Sequence, residues 1–78
     1  MKNVKVEIKG SVISITDPYD DKVSNIYVVN ALNTVVYVAV TPDRDETCNT
    51  LAEALRVVRA RIGSTYYLDV IKQLNAMM

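Results

Sequence analysis

The stretch VKVEIKGSVISIT, residues 4–16, carries its own test of strand register. Gly10-Ser11 between two alternating runs is the signature of a two-residue type II′ hairpin turn. Such a turn pairs Lys9 with Val12 and, counting outward, Ile8 with Ile13, Val6 with Ile15, Glu7 with Ser14 and Lys5 with Thr16. All the isoleucines then share one face. The other face carries Lys5, Glu7, Lys9, Ser14 and Thr16, with Val12 as its only large apolar member, so it can meet water.

Working outward, TDPYDDK, residues 16–22, breaks the alternation with Asp-Pro and three acids and reads as a loop. The next run, IYVVNALNTVVYVAV, residues 26–40, reads as a second hairpin with its turn inside NALN, residues 30–33. No glycine there fixes the loop length, and the register stays open. Because side chains alternate, Ile26 and Val28 oppose Tyr27 and Val29, while Val35, Tyr37 and Ala39 oppose Val36, Val38 and Val40. This hairpin is apolar on both faces.

After TPDRDETCN, the segment TLAEALRVVRARIG, residues 50–63, predicts a helix, with Thr50 and Glu53 spaced as a capping box and Gly63 as the stop. Leu51, Leu55, Val58 and Ile62 form its apolar stripe. Asp43 with Glu46 offers an earlier cap, which would place Cys48 on the same stripe. The six residues TLAEAL resemble helix starts in small sheet-plus-helix domains, HicB-like antitoxins among them; the resemblance reflects capping, and nothing functional is carried from it. In STYYLDVIKQLNAMM, residues 64–78, the residues Tyr66, Tyr67, Val70 and Ile71 favour a strand, yet positions 67, 70, 71, 74, 77 and 78 share one helical face. The helical reading is adopted because it uses Leu74 and both terminal methionines for packing.

The expected fold is therefore α+β, a single domain over residues 1–78 in which a four-stranded antiparallel sheet from two hairpins is followed by two C-terminal helices. A fifth strand in place of the second helix is the alternative. If the helices cover one face, the second hairpin keeps a surplus apolar face. Split helices, self-association or a different protein could each cover it.

Composition narrows the function. Half of the residues are hydrophobic and 23% are charged, which places the chain among folded domains. Nine basic and nine acidic residues cancel, which argues against nucleic-acid binding through a positive field. The N-terminus lacks the apolar core of a signal peptide, and the longest apolar run, residues 35–40, is too short to span a membrane. One cysteine permits no internal disulfide. A cytoplasmic protein without membrane or nucleic-acid partners is expected.

Catalytic signals are absent. With no histidine and only two glycines, the chain has neither the commonest general base nor a phosphate-binding loop. Cys48 reads as an inert packed thiol, since Asp45 and Glu46 beside it oppose a thiolate. Six of the nine acids, Asp17, Asp20, Asp21, Asp43, Asp45 and Glu46, belong to segments that an antiparallel hairpin brings to one end, but their spacing is not that of a calcium loop. Arg56 and Arg59 read as a solvated helix face, with Arg61 projecting to another side. No cofactor is expected.

The residues expected to meet a protein partner are Tyr27, Val29, Val36 and Val38 on the surplus face, with Tyr19, Asp20, Asp21, Asp43, Asp45 and Glu46 at the acidic pole. The expected function is a non-enzymatic interaction module that covers a partner surface, as an inhibitor or adaptor does; small proteins of phages and mobile elements fit that description. A structural homodimer is the alternative, and a divalent-metal binder or enzyme at the acidic pole ranks third.

Overall fold

The computed structural model describes residues 3–77. It is an antiparallel sheet of five strands followed by two helices: β1 Lys5–Lys9, β2 Val12–Thr16, β3 Val23–Ala31, β4 Thr34–Val40, β5 Asp45–Cys48, α1 Leu51–Ile62 and α2 Ser64–Met77. The strands lie side by side in chain order. The first hairpin has the expected register, Lys9 opposite Val12 and Ile8 opposite Ile13. Gly10 occupies the turn with φ 59, the left-handed region that a type II′ turn demands and that glycine enters without steric cost.

The second hairpin closes with Ala31 opposite Thr34, leaving Leu32 and Asn33 as a two-residue turn. Leu32 takes φ 56, a conformation disfavoured for a side chain with a Cβ. Chain chemistry alone gave no reason to place a leucine there.

Residues 45–48 correct the expected four strands and the earlier helix start. Thr41 caps a turn over Pro42-Asp43: its backbone N–H and its hydroxyl both donate to the Arg44 carbonyl, at 2.9 and 2.8 Å, and its Oγ1 accepts from the Asp43 and Arg44 N–H groups. The chain therefore doubles back on β4, and Ala39 pairs with Glu46 and Tyr37 with Cys48. Cys48 is buried, but on a strand rather than on the helix stripe.

Helix α1 begins where expected, with the Glu53 N–H donating to Thr50 Oγ1 at 3.2 Å. The Glu53 carboxylate reaches back one residue further than a capping box requires and accepts from the Asn49 N–H at 3.3 Å. At the other end the Gly63 N–H closes on the Arg59 carbonyl, and φ 86 at Gly63 turns the chain directly into α2. Arg59 ties the two helices by donating to Ser64 Oγ and lying over the Tyr67 ring, 5.4 Å from its centroid.

Residues 64–77 are helical, so the alternative of a strand there is excluded and the fifth strand comes from elsewhere in the chain. Of the two methionines expected to pack, Met77 is exposed, and Met78 lies outside the described residues. Both helices lie on one face of the sheet, where Ala54, Leu55, Val58, Ile62, Val70 and Leu74 share a core with Val6, Ile13, Ile15, Ile26 and Ala39. That arrangement excludes helices split across the two faces. No helix among the described residues is long and apolar enough to cross a membrane.

Candidate functional site: the open face and overhanging arm of the second hairpin

Cross-strand pairing maps the face turned away from the helices. One row across the sheet reads Lys9, Val12, Tyr27, Val38, Thr47, and the next reads Glu7, Ser14, Asn25, Val40, Asp45. Beyond them toward the hairpin tip lie Val29 opposite Val36, then Ala31 opposite Thr34. The centre is apolar. The first hairpin contributes its wet side, where Lys5 and Lys9 both reach Glu7, at 3.3 and 3.6 Å.

The expected residues Tyr27, Val29, Val36 and Val38 are brought together here. Tyr27 and Val29 are exposed, and Val36 and Val38 are half-buried between their strand neighbours, with no helix above them. Apolar side chains left uncovered in such a contiguous group forgo burial worth up to about 1.5–3 kcal/mol each, the usual mark of an interaction surface.

Strand lengths add a feature that alternation alone did not show. β3 and β4 run nine and seven residues, whereas β2 has five and β5 four. The end of the second hairpin therefore projects past both neighbours as an arm. Its helix-side residue Val35 is exposed although it lies on the covered face, and Leu32 at the tip is fully exposed.

The acidic residues gather at the opposite end, but not as a set of free carboxylates. Arg61, only 12% exposed, reaches Asp20 at 2.6 Å and Asp43 at 3.4 Å and so clips the β2–β3 loop to the β4–β5 turn. Its buried Nε has no hydrogen-bond partner among the described residues. Asp17 is buried and accepts from the Tyr19 N–H at 2.8 Å. Asp45 and Glu46, consecutive on β5, point to opposite faces; Glu46 pairs with Arg44 at 3.2 Å. Asp21, with φ 58, lies in the β2–β3 loop. Among the described residues, no group of three or more acidic or thiol side chains is placed to hold a metal ion. The Tyr19 ring stands edge-on to Tyr66, 5.6 Å between centroids, and remains largely exposed.

The Lys22 N–H and, after it, the Arg61 guanidinium hold the Asp20 carboxyl below its ordinary pKa. A carboxylate lowered in the folded state stabilises it above the unfolded pKa, and that contribution is lost as pH falls through the folded value. Arg61→Gln is therefore expected to lower the melting temperature at neutral pH and to make its decline in acid shallower. The decline persists in part, because the Lys22 contact remains. Melting curves from pH 2 to pH 7 check both.

Between β5 and α1 lies an open depression of about 260 Å³ lined by Arg44, Glu46, Thr47, Cys48, Glu53 and Arg56. Its two arginines and two glutamates balance. Burial, reinforced by Glu46 and Glu53, pushes the Cys48 thiol above its ordinary pKa, which disfavours the nucleophilic thiolate. Comparison with protein-family models, with curated proteins and with solved structures gives no match.

Proposed function

We propose that the protein is a non-enzymatic interaction module that acts as an inhibitor or adaptor by laying the open face and arm of its second hairpin on a partner protein. One observation carries this reading: Tyr27, Val29, Val36 and Val38 form an apolar group on the sheet face opposite both helices. A fold of this size has little apolar surface to spare, and leaving it wet on the longest hairpin is costly unless another surface covers it. The acidic pole with Tyr19 supplies a second, polar contact region. As an enzyme site the pole is not favoured, since Arg61 ties up two of its carboxylates.

Immobilised protein incubated with a lysate of the source cells tests the reading. The double substitution Val36→Lys and Val38→Lys is expected to reduce capture of the bound protein at least about tenfold while leaving circular dichroism and melting nearly unchanged. Equal capture by both proteins would refute it.

A further inference from the structure

We propose that α2 exchanges between two copies of this chain: Gly63 straightens, α1 and α2 fuse into one helix over residues 51–77, and each α2 docks in the seat left by the α2 of the other copy. The junction is a single residue. Helix α1 ends at Ile62, α2 begins at Ser64, and Gly63 between them takes φ 86 and ψ 163, a region of backbone space essentially closed to residues with a Cβ. The helical ladder already reaches into the bend from both sides. The Gly63 N–H donates to the Arg59 carbonyl at 2.9 Å, and the Tyr67 N–H donates to the Gly63 carbonyl at 3.0 Å, each four residues back as in a continuous helix. Ser64, Thr65 and Tyr66 open α2, so their N–H groups have no earlier turn to donate to. Rotating Gly63 into the helical region aims them at the Ala60, Arg61 and Ile62 carbonyls and completes the ladder. Pro18 and Pro42 lie earlier in the chain, so nothing else interrupts a straight helix about 40 Å long.

The docking of α2 resists this change and also selects the occupant. In the monomer α2 lies against α1 and β1, with Val70 and Leu74 buried in the common core and the Gln73 amide on the Val4 carbonyl. A lone straightened chain would leave those side chains wet and the core beneath them uncovered. A second straightened copy restores every one of these contacts, because its α2 brings the same residues to the same seat.

The exchanged pair keeps the core contacts of two monomers and adds the Ser64, Thr65 and Tyr66 backbone bonds in each copy. It loses the contacts of Arg59 with Ser64 and the Tyr67 ring, which depend on the bend, and it gives up the independent motion of two molecules. The closed monomer therefore prevails in dilute solution, and exchange grows with concentration. Both helices lie on the covered face of the sheet, so each copy retains its open face. The exchanged pair presents two of them to a partner protein, and the exchange stands or falls separately from the open-face reading.

Light scattering and amide exchange by NMR on the full chain test the proposal, using the wild type and G63A. An alanine Cβ at Gly63 would meet no atom within 4 Å, so the substitution acts through the backbone, disfavouring the bend and favouring the straight helix. At concentrations where the wild type has its monomer mass of 8.7 kDa, G63A is expected at twice that value. Amide exchange at residues 64–66 should be slower in the G63A dimer than in the wild-type monomer by at least about tenfold, because those N–H groups gain acceptors only in the straight helix. The wild type, unfolded in urea and refolded at high protein concentration, should yield a minor dimer that persists on dilution and shows the same slowed exchange. A folded monomeric G63A, or a G63A dimer whose residues 64–66 exchange as in the monomer, would overturn the proposal. So would the absence of the refolded wild-type dimer, which decides the matter even if G63A does not fold.

Discussion

Ile26→Asp is expected to unfold the protein, while Tyr27→Asp, one residue along the same strand, is expected to leave it folded. Ile26 is 0% exposed beneath the helices, and Tyr27 is 38% exposed on the opposite face. The first substitution forgoes about 1.5–3 kcal/mol of apolar burial and places a carboxyl where its charge has no partner, at a further cost of several kcal/mol. Together these approach the roughly 5–15 kcal/mol that holds a small domain together, and a chain of 78 residues sits low in that range. The second substitution exchanges a partly solvated ring for a poor strand former, worth about 1 kcal/mol or less. Far-UV circular dichroism and urea melts of the two variants separate the faces.

Leu74→Ala should destabilise the protein by about 2–4 kcal/mol, against less than about 0.5 kcal/mol for Leu68→Ala on the outer side of the same helix. Helix α2 is thinly anchored. Val70 and Leu74 are its buried residues, and the Gln73 amide donates to the Val4 carbonyl at 2.8 Å. Removing one of its two fully buried side chains, which leaves Val70 with the partly buried Tyr66, Tyr67 and Ile71, should loosen α2 before the sheet, so amide exchange should accelerate over residues 64–77 more than in β2 and β3. Denaturant melts give the magnitude, and exchange by mass spectrometry gives the place.

The first hairpin was fully legible in the sequence because two independent signals agreed there: Gly10-Ser11 fixed the turn, and the isoleucines fell on one face only in that register. In the second hairpin the alternation was legible but the register was not, since Leu32 holds a position where glycine or asparagine would have announced the turn. β5 was missed for a physical reason. Asp45, Glu46 and Thr47 are all exposed, so a four-residue edge strand showed no apolar alternation, and its one buried side chain, Cys48, fitted a helix stripe equally well.

The candidate site divides in the same way. Antiparallel topology alone brought the acidic segments to one end, and period-two alternation placed Tyr27, Val29, Val36 and Val38 on one face. It could not show which face the helices would take. The Arg61 clip was invisible because it joins residues far apart in the chain, and the overhang of the arm depends on where β2 and β5 stop rather than on the residues of the arm itself. The contact of Tyr19 with Tyr66 is likewise a product of where α2 docks.

The central claim is that β4 turns one side chain to the helices and the next to an open face that a partner covers. Thiol labelling of Val38→Cys and Ala39→Cys, each in a Cys48→Ala background, tests it most directly. In dilute protein the thiol at position 38, half-buried as Val38 is, should react many times faster than the strongly protected thiol at 39, and it should become protected once the captured partner is bound. Protection of both thiols in the dilute protein, or a thiol at 38 that the bound partner leaves fully reactive, would contradict the account.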